Sequence, residues 1–189
     1  MAKVAIILAQ GFADWEYALV AGAGRPFYGL NVRFFTPEPG VIRSQGGLAA
    51  EVSLGLDEAL AWSPEVLAVV GGVIWLSEDA PDLGGLLRKQ YTEGRVAAGI
   101  CGGTVALARA GLLDETPHTS NDADFLIQHA PEYAGSAFFR QQPRALSENR
   151  IITAPGTAPV SFAAEVFTAA GVDRDTVAEF RRMLAAEHA

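Results

Sequence analysis

Runs of strand length at Val4 to Ala9, Val32 to Thr36, Val66 to Val70 and Val96 to Ile100, apolar except for Arg33 and Thr36 in the second, alternate along this chain with segments of helical period. Strands that read as near-continuous apolar runs are buried on both faces, and helices between them make the sheet parallel. That pattern predicts an α/β sandwich with helices on each side of a mostly parallel sheet. The 189 residues, 50% of them hydrophobic, suffice for one well-buried core and are too few for two comfortable α/β domains. Residues 1–189 therefore read as a single domain.

Asp14 is placed to cap a helix running to about Tyr28, and Gly29 ends it. Residues 37–55, punctuated by Pro37, Pro39 and several glycines, predict a small hairpin. A short helix is expected at Leu56 to Trp62, and a capped helix at Asp82 to Glu93, stopped by Gly94. Further on, helices are expected at Thr104 to Leu113 and Asp122 to His129, with a strand or hairpin within Ala145 to Thr153. Two terminal helices fit Val160 to Ala170 and Asp173 to Glu187, the second with Val177, Phe180 and Leu184 on one stripe.

The run ending at Ile100 delivers the only cysteine, in Gly99-Ile100-Cys101-Gly102-Gly103. This is the spacing of a nucleophile elbow with a thiol in place of the hydroxyl, where crowding at a sharp strand-to-helix turn demands neighbours without a Cβ. Donors at the start of the next helix favour a thiolate there, so the expectation is a reactive Cys101 of depressed pKa. Ligands of open α/β sheets bind outside the carboxyl ends of the strands. Two other segments leave strands at that edge. One contains Glu16, whose carboxyl, if it faces Cys101 in a partly dry site, has a raised pKa and donates to the thiolate. The other is Gly71-Gly72, and Gly72 with Gly102 supplies candidate oxyanion donors. Trp75 is close enough in sequence to wall a pocket. Of the three histidines, His188 lies in the tail and His129 at a helix end, which leaves His118 as the base or orienting group. Their dispersal offers no metal-ligand spacing, and no cofactor is expected.

With 22 acidic against 14 basic residues the formal charge is -8, which gives no electrostatic footprint for nucleic acid or an anionic membrane. The expected partner is a small-molecule substrate or another protein. A lone nucleophilic thiol suits a reducing compartment, so the expectation is cytoplasmic. The Val4 to Ala9 run is shorter than a secretory core, and no run approaches bilayer length.

Taken together, Lys3 to Leu8 followed by Glu16, Val69-Val70-Gly71-Gly72, Ala98 to Gly103 with Leu107 to Leu113, and Ile151 to Thr157 resemble the ThiJ/PfpI family. This branch of the class I glutamine amidotransferase-like superfamily includes the parkinsonism-associated deglycase, and the resemblance covers nearly the whole chain. It implies a flavodoxin-like three-layer sandwich, a homodimer, Cys101 as nucleophile, Glu16 as its carboxyl partner, and oxyanion binding near Gly72 and Gly102. Trp75 and the segment His118 to Asn121 suggest a less characterised bacterial subgroup, with Trp75 and Asn121 as its pocket residues. Three departures are visible. Gly102 stands where protease-like members carry histidine, Asn121 aligns with the histidine of deglycase-like members, and the late His-x-Glu pair of a glutaminase is missing. The resemblance implies a cysteine-dependent hydrolase or lyase acting on an amide, a glyoxal-type aldehyde or a glycated adduct. The alternative is a redox or stress-response protein whose Cys101 is oxidised to sulfenic or sulfinic acid.

Overall fold

The computed structural model describes residues 1–186, so the expectations for Glu187 and His188 lie outside the described residues. Five strands, β1 (Lys3–Ile7), β2 (Asn31–Phe35), β5 (Val66–Val69), β6 (Val96–Ile100) and β8 (Ile151–Ala154), pair in parallel. A sixth, β7 (Leu146–Glu148), runs antiparallel on the edge, giving the order β2-β1-β5-β6-β8-β7. Asn149 and Arg150, at φ of 49° and 63°, form the tight turn between β7 and β8. Residues 37–55 do fold as a hairpin, β3 (Gly40–Arg43) against β4 (Ala49–Val52).

Alternation along each strand divides the interior in two. In β1 and just beyond it, Val4, Ile6 and Leu8 pack with Phe162, Phe167 and Phe180 from α6 (Pro159–Ala169) and α7 (Arg174–Ala185), under α1 (Asp14–Tyr28). Ala5, Ile7 and Ala9 face the opposite core, closed by α2 (Leu56–Trp62), α3 (Gly84–Thr92), α4 (Gly103–Arg109) and α5 (Ala123–His129). The result is the expected flavodoxin-like three-layer sandwich. No described helix is long and apolar enough to cross a membrane.

Two local expectations are corrected. Asp14 does not cap α1: Ala13 occupies that position without a side-chain bond, while the Asp14 carboxylate accepts the Gly46 N–H of the hairpin at 2.8 Å. The elbow helix stops at Arg109, well short of Leu113, because Gly111 turns to a φ of 73° and its N–H closes on the Ala108 carbonyl.

Strand order is what assembles a site. The chain moves outward from β1 to β2, then returns to place β5 on the other side of β1, so connections leaving β1 and β5 diverge and open a crevice. The elbow after β6 and the loop after β8 lie next along the same edge.

Candidate active site

Cys101 follows the last residue of β6 and adopts a φ of 54°, a left-handed conformation that costs a non-glycine residue on the order of 1–3 kcal/mol. Hydrogen bonds on both sides hold it there. Its N–H donates to the Ala154 carbonyl at 2.9 Å, and its own carbonyl accepts from the Thr104 N–H at 3.0 Å and the Thr104 hydroxyl at 2.6 Å. Close approach explains the glycine at the start of α4, since a Cβ on Gly103 would stand 2.2 Å from the Val69 carbonyl oxygen. The thiol itself is half-buried.

Glu16, in the first turn of α1, is fully buried. Its Oε2 accepts the Gly71 N–H at 2.7 Å, whereas Oε1 has no hydrogen-bond partner. Two glycines show how tightly carboxyl and thiol are packed. A Cβ on Gly71 would lie 2.5 Å from Glu16 Oε2 and 2.7 Å from Cys101 Cβ, and one on Gly156 would lie 3.0 Å from the sulfur and 3.2 Å from Glu16 Oε1.

Burial first, and this proximity second, set the protonation of both groups. Burial drives the Glu16 carboxyl up to about 7, against the pull of the Gly71 N–H and the thiol. Burial, and then the charge of Glu16, push the Cys101 thiol up to about 11, although Asn121 and the Gly102 N–H draw it down. The expectation of a depressed thiol pKa is thus corrected: the donors are present, but desolvation and a neighbouring anion outweigh them. A thiolate is favoured when Glu16 holds the proton, and an O–H on the unpartnered Oε1 would then have the sulfur as its acceptor.

Asn121 reaches the thiol from the loop before α5, with Nδ2 3.4 Å from Sγ. Its Oδ1 accepts the Gly156 N–H at 2.9 Å, and the Gly156 carbonyl accepts the indole N–H of half-exposed Trp15 at 3.0 Å. Gly156 and Trp15 are site residues that the sequence reading left without a role. The available signal was a Pro155-Gly156 turn directly after an apolar strand at the ligand-binding edge.

Two candidates fall elsewhere. His118 is fully buried with both ring nitrogens engaged, Nδ1 at 2.7 Å from the Thr116 carbonyl and Nε2 at 2.7 Å from the Tyr133 hydroxyl. The carbonyl can only accept, so Nδ1 carries the hydrogen and Nε2 accepts from tyrosine, leaving no nitrogen for the thiol proton. His118 orients its loop instead of acting as a base. Trp75 is 1% exposed, donates Nε1–H to the Val70 carbonyl at 2.8 Å, and packs beneath Gly102 as core, not as a pocket wall. Gly102 starts the turn into α4, and the Gly72 N–H has no partner among the described residues.

The state of His118 has a measurable consequence. Burial, helped by the Arg140 charge, lowers its pKa below the ordinary value. The unfolded chain therefore takes up a proton that the fold refuses, and stability should fall as pH drops from about 6.5 toward the lowered pKa, by at most about 1.4 kcal/mol per pH unit. Glu16 has the opposite sign, because its raised pKa makes acidification favour the fold between about 4.5 and about 7. Urea unfolding at about pH 5 and about pH 7.5 separates the two: His118→Gln should lose less stability on acidification than wild type. An identical pH dependence in both proteins would refute the buried neutral histidine.

Fold and site together define a doubly wound α/β domain with an elbow thiol and a buried carboxyl at the switch point of its sheet. The chain belongs to the DJ-1/PfpI family, whose profile matches residues 2–169. The DJ-1 superfamily protein Atu0886 from Agrobacterium tumefaciens is 38% identical and superposes with a TM-score of 0.93 over 100% of both chains. A thiJ/pfpI family protein from Bacillus anthracis is 27% identical, with a TM-score of 0.84 over 96% of this chain and 89% of its own. The uncharacterized protease YoaZ of Bacillus subtilis is 33% identical over 87% of this chain and 81% of its own length.

Proposed function

We propose that the protein is a cysteine-dependent hydrolase or lyase that acts on a small electrophilic carbon, as in an amide, a glyoxal-type aldehyde or a glycated adduct. The observation that carries this reading is the half-buried Cys101 at its left-handed elbow beside a carboxyl with an unpartnered oxygen. Sγ adds to the carbonyl carbon, the carbonyl π pair moves to oxygen, and the thiol proton passes to Glu16, whose raised pKa suits it to both taking and returning a proton near neutrality. The N–H groups of Gly72 and Gly102 receive the oxyanion.

A broad peptidase is a weaker fit, although two Bacillus subtilis relatives are called uncharacterized proteases. Gly102 follows the nucleophile where an adjacent histidine could have served as base, and both nitrogens of His118 are engaged. Turnover of generic peptides should be slow. The test is a screen of amides, methylglyoxal and isonitriles with wild type, Cys101→Ser and Cys101→Ala. Activity on at least one compound should vanish in both variants, and full turnover by Cys101→Ala would end this reading.

A second reading is favoured by the absence of a histidine base among the described residues around the sulfur. In it Cys101 is oxidised to sulfenic or sulfinic acid and its state is read by a partner. Intact mass after mild peroxide tests it: oxygen addition confined to Cys101, in a protein inert toward the whole screen, would favour sensing over catalysis.

A further inference from the structure

We propose that Asn121 is a catalytic residue, donating a fixed, non-titrating hydrogen bond to the Cys101 sulfur while the sulfur is negatively charged. The inference rests on Cys101 as nucleophile and adds a group that acts on the reacting atom itself. Its first support is the orientation of the amide. The Gly156 N–H can only donate, so it requires Oδ1, which sits 2.9 Å away, and that choice turns Nδ2 toward Sγ at 3.4 Å. The protein, not the thiol, decides which end of the amide faces the sulfur.

Anchoring of the segment is the second support. Ahead of Asn121, the Thr119 N–H donates to Thr153 Oγ1 at 2.9 Å, and Ser120 Oγ lies 2.6 Å from Thr104 Oγ1, a side chain that is itself bonded to the Cys101 carbonyl. Immediately after it, Asp122 caps α5 through the Phe125 N–H at 2.7 Å. Gly156 is fixed from its other side by the Trp15 indole. A donor held this firmly pays little reorganisation when charge develops on the sulfur.

Chemistry supplies the third. An amide neither gains nor loses a proton near neutrality, so Asn121 cannot compete with Glu16 for the thiol proton. It can stabilise the anion both when the thiolate attacks and when the carbon–sulfur bond breaks and the electron pair returns to sulfur. Glu16 thus manages the proton and Asn121 the charge.

Asn121→Asp separates this role from simple support of the loop, because aspartate keeps an acceptor for the Gly156 N–H while losing the donor and adding a negative charge. Asn121→Ala removes both. The rate of Cys101 alkylation by iodoacetamide, followed by intact mass across pH in the full chain, should fall about tenfold near neutral pH for Asn121→Ala, the loss expected for one charge-assisted hydrogen bond. It should fall further for Asn121→Asp, with the inflection moved to higher pH. Wild-type rates and inflection in Asn121→Asp would overturn the proposal, and with a slow alanine variant would leave Asn121 as support for Gly156 alone. Thermal unfolding of each variant checks folding; if alanine fails to fold, the aspartate arm decides. Alkylation needs no substrate, so this result is independent of whether the substrate screen succeeds.

Discussion

Gly71→Ala should cost the protein its thiol chemistry while leaving most of the fold standing. The added methyl would fall 2.5 Å from Glu16 Oε2, 2.7 Å from Cys101 Cβ and 3.0 Å from the Gly102 nitrogen, all closer than the neighbours can accept unmoved. Carboxyl and thiol must therefore separate, or the Gly71 peptide must withdraw its N–H from Glu16. Overpacking of this kind costs about 1–3 kcal/mol of stability. The functional loss should be larger, roughly a hundredfold in turnover of the best screened substrate, because an ångström of misplacement is enough for that. Gly22→Ala is the matched control: it lies on the exposed side of α1 with nothing within 4 Å of the new Cβ, and should stabilise the helix by up to about 1 kcal/mol. Equal turnover in Gly71→Ala and wild type would mean that the crevice between Glu16 and Cys101 is not the reaction site.

The contrast between those glycines also shows what could be read from the chain alone. Strands β1, β5 and β6 were legible because burial on both faces removes polar residues and leaves contiguous runs such as Val66 to Val69. Strand β2 was legible despite its exposed Arg33, and β8 only as a strand or hairpin within Ala145 to Thr153, while Asp122 and Asp173 marked the starts of α5 and α7. Cys101 and Glu16 were legible because each follows a strand that has to end at the ligand-binding edge. Relations between distant segments were not. Asp14 looks like a cap until the hairpin brings Gly46 to it, and His118 looks like a base until Tyr133 closes on its free nitrogen. Trp15 and Gly156 lie 141 residues apart, and only the completed sheet makes them neighbours. Donors near Cys101 were visible in sequence, but desolvation was not, and desolvation decides the direction of its pKa.

Glu16→Gln should move nucleophilicity and catalysis in opposite directions. Glutamine keeps the length of the side chain and a carbonyl oxygen for the Gly71 N–H, but removes the charge that helps to push the thiol up to about 11. Relief of that charge lowers the thiol pKa, and each unit of decrease raises the thiolate fraction about tenfold well below the inflection. Alkylation of Cys101 by iodoacetamide at mildly alkaline pH should therefore become faster, although burial, the largest influence on the thiol, remains and keeps the inflection above its ordinary value. Turnover should fall by two or more orders of magnitude, since general acid–base transfer contributes about a hundredfold to ten-thousandfold and the amide cannot take the proton or return it. The wild-type rate should also show an inflection near 7 from the coupled pair that is missing in Glu16→Gln. A carboxylate that served only to hold Gly71 would give a different result: glutamine would preserve turnover, and the two proteins would show the same pH profile of the rate, with no inflection near 7 that the substitution removes.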